Sequence, residues 1–186
     1  MRRALLLVLA GLACERATPA LPRLGGLPAF SLHDQLQRPV TRDVLLDRVS
    51  VVSFLFTRCR GPCPLITARL QRLGVQLADE PAVRLISISV DPDFDTPAVL
   101  AAYAARFDAA PDRWRFLTGD VAEVERVVVD GFRTQMSRPD AVTGDVVHGN
   151  WLMLVDRRGE LRGAFLVATE ADVERLARLV RQLVAE

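Results

Sequence analysis

Cys59 and Cys63 lie four positions apart in Thr57-Arg58-Cys59-Arg60-Gly61-Pro62-Cys63-Pro64 and are the residues of this chain best suited to chemistry. The apolar run Val49 to Phe56 precedes them, and an amphipathic stretch from about Leu65 to Ala78 follows. The pair therefore falls between a strand buried on both faces and the start of a helix. With the helix beginning near Pro62, a four-residue step turns through about 400°, so both sulfurs can face the same way. The N–H groups of a helix start, its dipole and the flanking Arg58 and Arg60 are expected to lower the thiol pKa values. Three outcomes are open: a structural disulfide between Cys59 and Cys63, a redox dithiol that exchanges with a target disulfide, or two thiolates on one soft metal ion. Two thiolates suffice for copper(I), whereas copper(II) prefers an added nitrogen ligand.

Few other groups are available. The chain has no lysine, which excludes Schiff-base chemistry and a phosphate-loop lysine, and it has only two histidines, His33 and His148, and one tyrosine, Tyr103. His148 ends a long loop, about 133–147, immediately before the expected strand Asn150 to Val155. In a thioredoxin-like sheet that strand runs beside the one leading to Cys59, and the histidine stands near the place where thioredoxins carry a cis-proline. His148 is therefore the candidate nitrogen ligand, and His33, in an N-terminal turn, is expected at the surface. Thr57 two residues before Cys59 suggests a peroxidase-like pattern, but that pattern needs a proline just upstream, where this chain has Ser53-Phe54-Leu55-Phe56.

Those residues need a frame. With 186 residues, half of them hydrophobic, the chain can bury one core, and its net charge of +1 with no basic stripe argues against nucleic-acid binding. Arg2 and Arg3 followed by the apolar stretch Ala4 to Ala13 read as an export signal, too short to span a bilayer as a helix. Cys14 closes it and resembles a lipoprotein processing site, although Gly11 stands where leucine is usual; cleavage near Ala13 and an uncleaved anchor are the alternatives. Segment 1–14 is thus the export element, 15–28 a flexible tether rich in Pro, Ala, Gly and Arg, and 29–186 the folded domain. The expected location is outside the cytoplasm, anchored at a bacterial inner membrane and facing the periplasm or cell exterior, where disulfides can form.

Within the domain, Ala29 to Leu32 and Val40-Thr41 predict a short hairpin, and Val83 to Val90 a second central strand. Asp95 or Thr96 caps a helix with Pro97 in its first turn, reaching about Phe107. Trp114 to Leu117 predicts a strand, and Asp120 with Glu123 a capping-box-like helix start reaching about Val129. Asn150 to Val155, the turn at Asp156-Arg157-Arg158-Gly159 and Glu160 to Val167 predict a hairpin, and Thr169 with Asp172 opens a final helix. The fold class is α/β: a thioredoxin-like fold with a central mixed sheet flanked by helices and an N-terminal hairpin extension.

The chain resembles the Sco/SenC family over roughly residues 28–185. The resemblance rests on Phe54 to Pro64 with its Cys-x-x-x-Cys-Pro element, on Ser89-Val90-Asp91-Pro92-Asp93-Phe94-Asp95-Thr96-Pro97, on Phe116-Leu117-Thr118-Gly119-Asp120, and on His148 followed by Leu154-Val155-Asp156. It implies a copper-handling assembly factor of cytochrome c oxidase, with Cys59, Cys63 and His148 as ligands of one copper(I) or copper(II) ion. The acceptor it implies is the dinuclear copper A site of oxidase subunit II, or another copper or thiol acceptor. Some bacterial members act mainly as thiol–disulfide reductants, which keeps Cys59 and Cys63 open as a redox pair. Two departures stand out: Arg60-Gly61-Pro62 between the cysteines, expected to favour thiolate or copper(I) forms, and Val147 where an aspartate often precedes the histidine. Asp91 and Asp95 are expected to shape their loop rather than bind metal.

Overall fold

The computed structural model describes residues 20–137, 139–140, 146 and 150–186. The export element with Cys14, the first part of the tether and His148 lie outside the described residues.

Seven strands form one sheet. β1 (Ser31–Asp34) and β2 (Pro39–Thr41) make the predicted hairpin, β3 (Val49–Leu55), β4 (Val83–Ser89) and β5 (Trp114–Thr118) are parallel, and β6 (Trp151–Val155) and β7 (Leu161–Leu166) form the second hairpin. Their order is β2-β1-β5-β4-β3-β6-β7. Every residue of β3 is buried, as a mostly apolar run broken only by Ser50 and Ser53 requires of a central parallel strand. Four α-helices, α1 (Cys63–Gln76), α2 (Pro97–Ala105), α3 (Val121–Glu125) and α4 (Glu170–Ala185), join or follow the strands. Thr96 caps α2 and Thr169 caps α4, the latter in a complete capping box with Asp172.

The two faces of the sheet are covered differently. Side chains alternate across strands, so Ser53, Leu85, Ser87, Trp114 and Phe116 share one face, where Ser53 and Ser87 are hydrogen-bonded at 2.8 Å and Tyr103 of α2 meets Phe116 edge-on. Val52, Phe54, Ile86, Ile88 and Leu117 share the other, where Phe132 packs edge-on against Phe54 at 5.3 Å. Phe132 gets there through a departure from the expected helix. After α3 the chain widens into a π-helical turn, Arg126–Gly131, in which Phe132 N–H reaches back five residues to Val127 C=O. Gly131 permits it, since Pro28 Cδ lies 3.0 Å from where a β-carbon would stand. Asp120 caps α3 as expected, but Glu123 does not complete a capping box: its carboxylate takes Ser31 N–H and pairs with Arg126.

Parallel β3, β4 and β5 give the sheet two unlike ends. The cysteine loop and the Asp91–Asp95 loop leave from the C-terminal ends of β3 and β4. The N-terminal segment enters at the other end, where buried Arg162 pairs with Asp156 and Glu186 and donates to the carbonyls of Leu21 and Pro22. Residues 21–28, expected as flexible tether, are thus part of the folded domain, held by Leu24 and Gly25 bonds to Leu161 and by burial of Leu27.

Candidate metal centre

Cys59 lies in a turn after β3, its N–H donating to Phe56 C=O at 3.2 Å. Cys63 is the first residue of α1, with Pro62 at the cap position, so the helix begins next to Pro62, two residues before the amphipathic stretch at Leu65. The spacing does bring the sulfurs together: the two side chains are hydrogen-bonded to each other, both as thiols. Their surroundings differ. Cys63 is 0% exposed while Cys59 is half-buried, so the pair has one covered and one open member.

The expected acidity is overturned for Cys63. Burial, the hydrogen bond that the Cys63 S–H donates to Cys59 and the proximity of the Cys59 sulfur push the Cys63 thiol up to about 12, despite its place at a helix start. Desolvation of the thiolate outweighs the dipole here. Nor does Arg58 serve the sulfurs. Its guanidinium donates to Asp91 Oδ2 at 2.6 and 3.1 Å and lies 4.2 Å above the Phe94 ring. Arg60 is exposed.

The carboxylates of the second loop hold the first. Asp95, 0% exposed, accepts from Thr57 N–H at 3.1 Å, from Thr57 Oγ1 at 2.5 Å and from Ser89 Oγ at 2.6 Å. Asp91 grips Arg58 and its own N–H donates to Ser89 Oγ. Both side chains therefore shape and fasten the loops, as expected. Sequence reasoning missed Thr57 and Ser89 as their partners. The available signal was the topology: loops that leave adjacent parallel strands at the same end must meet. Behind Cys63 lies a further support, with Thr67 Oγ1 donating to Cys63 C=O at 2.8 Å and standing 3.1 Å from the Tyr103 hydroxyl.

His33 is exposed on β1, opposite Thr118 of β5, and β4 and β5 separate it from β3, so it takes no part in the cysteine site. Among the described residues no group of three metal-ligating side chains is gathered. The residues around position 148 are informative: Val146 is buried in the core, and Asn150 directly precedes β6. β6 pairs antiparallel with β3 in the register Ser50↔Val155, Val51↔Leu154, Val52↔Met153, so its beginning lies toward the end of β3 from which the cysteine loop departs. That adjacency was expected from the sequence.

The difference in burial has a direct consequence. Under brief treatment with iodoacetamide the reduced protein is expected to be alkylated at Cys59 about tenfold faster than at Cys63, as read by peptide mass spectrometry. Equal rates would mean that the cover over Cys63 opens as fast as the reagent arrives.

Known proteins resemble this chain over nearly all of its described length. The SCO1/SenC family model matches residues 22–185. A SCO1 protein homolog of Bacillus subtilis is 33% identical over 134 residues, covering 71% of this chain and 69% of that protein. A SCO1/SenC family lipoprotein from Bacillus anthracis has a similar structure, with TM-score 0.80 and 28% identity over 89% of this chain and 99% of that one. Bradyrhizobium japonicum ScoI with copper bound superposes with TM-score 0.70 and 29% identity, over 86% and 99% of the two chains. With a family match spanning nearly the whole described domain, two thiols at the end of a central strand and a thioredoxin-like sheet behind them, this chain belongs to the SCO1/SenC family.

Proposed function

We propose that the protein carries one copper ion on Cys59, Cys63 and His148, and passes it outside the cytoplasm to the dinuclear copper A site of cytochrome c oxidase subunit II. The observation that carries this reading is the pair of touching thiols at one end of the sheet, one covered and one open. Two soft sulfur donors suit copper(I), and an imidazole would complete a site able to hold copper(II). Support for His148 comes from its place two residues before Asn150. Two peptide steps keep its Cα within about 8 Å of the Asn150 Cα, and β6 borders β3. The copper-bound Bradyrhizobium relative supports the choice of metal.

Copper would leave by stepwise exchange. An acceptor thiolate displaces the accessible Cys59 first, while Cys63, buried at the first position of α1, holds the ion until last. Acylation of Cys14 would tether the domain at a bacterial inner membrane, and the Bacillus anthracis lipoprotein supports that anchoring. A tether raises the effective concentration at a membrane-bound acceptor.

A second reading rests on the same asymmetry. In a thiol–disulfide oxidoreductase Cys59, as thiolate, attacks an acceptor disulfide and releases one acceptor thiolate. Cys63 then closes on Cys59, releasing the second, so the acceptor gains two electrons and the pair becomes the Cys59–Cys63 disulfide.

Copper titration of the full chain and of the Cys59→Ser, Cys63→Ser and His148→Ala variants separates the readings. One copper per parent chain is expected, with either serine variant unable to hold copper(I). The His148→Ala protein should keep copper(I) and lose copper(II), seen as loss of the thiolate charge-transfer band. Equal copper(II) binding by parent and His148→Ala would remove His148 from the site. Absence of tight copper binding alongside rapid reduction of a model disulfide would establish the second reading.

A further inference from the structure

The end of the sheet opposite the cysteines presents a second concentration of chemistry. Arg84 on β4 and Arg115 on β5 point to the same face, because Ser50 pairs with Arg84 and Ile86 pairs with Arg115 in the parallel register, and Arg84 and Ile86 are two residues apart on one strand. Arg48, just before β3, stands beside Arg84 and donates to Pro81 C=O. Among the described residues no carboxylate lies within ion-pair distance of these three cations. Arg84 donates one N–H to Val44 C=O at 2.8 Å, while the Nε atoms of both Arg84 and Arg115 are buried without a hydrogen-bond partner. Ser50 Oγ, on the same face and 0% exposed, is also buried without a partner. Among the described residues the carboxylate whose charge reaches Arg84 is Asp112, which is 93% exposed and lies 3.9 Å from Arg38, itself paired with Asp34.

Like charges with unmade hydrogen bonds are costly in a folded protein. Burial above all, and then the neighbouring charges of Arg115 and Arg48, push Arg84 down to about 10, so the like charges add to a cost set first by burial. A bound oxyanion would relieve it, since guanidinium N–H forks match phosphate oxygens in geometry and charge. A lone water could accept from an Nε–H but would leave the mutual repulsion in place.

We propose that Arg84, Arg115 and Arg48 form a binding site for a phosphate group. The site lies at the end of the sheet where the N-terminal segment enters, held to Arg162 through the carbonyls of Leu21 and Pro22, and away from the cysteine loop. Two sources of phosphate fit: free inorganic phosphate and the headgroup of an anionic lipid. With a lipid, the arginine end would face the membrane and the cysteines the acceptor.

The test uses the full chain in mild detergent, titrated at pH 7 with inorganic phosphate against chloride at matched ionic strength, alongside an Arg84→Gln/Arg115→Gln variant. Low-millimolar phosphate is expected to raise the parent's melting temperature by several degrees, and the variant to bind about tenfold more weakly or worse. In chloride alone the variant should melt at or above the parent, because the crowding is gone; a purely structural role predicts the reverse. General salt stabilisation by phosphate persists in the variant and is subtracted with it. A second arm places the chain in vesicles of phosphatidylcholine with or without phosphatidylglycerol and follows hydrogen exchange of β4 and β5. A phosphate response in solution identifies the free anion. Protection by phosphatidylglycerol alone, lost in the variant, identifies the headgroup. No response in either arm, or a variant that melts well below the parent in chloride, overturns the proposal. Copper stoichiometry is measured in parallel, so failure here is separable from failure of the copper reading.

Discussion

Asp95→Ala is expected to unfold roughly 10 °C below the parent, about 3 kcal/mol of stability for a domain of this size. The reason is an accounting of donors. The carboxylate is fully buried and takes Thr57 N–H, the Thr57 hydroxyl and the Ser89 hydroxyl. Truncation leaves all three facing a cavity that the packed ends of β3 and β4 cannot close. The hydroxyls can turn elsewhere, but the backbone N–H cannot. Because Thr57 is two residues from Cys59, the loss should also loosen the cysteine loop, so Cys63 in this variant should become more reactive toward iodoacetamide. Asp95→Asn keeps an acceptor oxygen and should recover part of both effects. Thermal unfolding and timed alkylation measure them; an Asp95→Ala protein that melts with the parent would show that this carboxylate does not support the loop.

Alkaline pH should destabilise the reduced protein through Cys63. The sign follows from linkage: the thiol's value rises from 9.0 to about 12 on folding, mainly by burial. The folded state then holds the proton more tightly than the unfolded one. The stability this contributes is fully present below pH 9 and is lost as pH rises toward 12. Three units correspond to an upper size on the order of 4 kcal/mol, reduced by whatever water reaches the pair. Tyrosine and arginine also titrate in this range, so the informative quantity is the difference between parent and Cys63→Ser, which has no ionisable group there. Denaturant unfolding at pH 8, 9.5 and 11 should show the parent losing more than the variant, and the disulfide form should behave like the variant. Parallel losses in parent and Cys63→Ser would mean that the folded thiol is not shifted.

Much of this protein could be read from its sequence. The mostly apolar run Val49 to Phe56, with only Ser50 and Ser53 among its residues polar, reads as a strand covered on both sides, and a proline directly before Cys63 suits a helix start. The thiols at Cys59 and Cys63, their place between strand and helix, both hairpins and the cap at Thr169 follow from local pattern, which narrowed the α2 cap to Asp95 or Thr96. Local pattern suffices there because each feature is settled by residues within one or two turns of one another.

Tertiary packing decided the rest. The widened turn at Arg126–Gly131 depends on Pro28, a hundred residues earlier, coming close enough to need a glycine. The bond from Thr57 to Asp95 spans 38 residues and exists only because β3 and β4 pair in parallel and release their loops at the same end. The acidity of Cys63 went against the local expectation, since a helix start favours a thiolate only while water or a counter-charge remains, and the core removes the first while Asp91 and Phe94 draw Arg58 away. Likewise the arginines at 48, 84 and 115 are scattered in sequence, and only the sheet gathers them. Residue types and spacing thus determined which groups can react; desolvation and register, which are properties of the assembled core, determined in what state they wait.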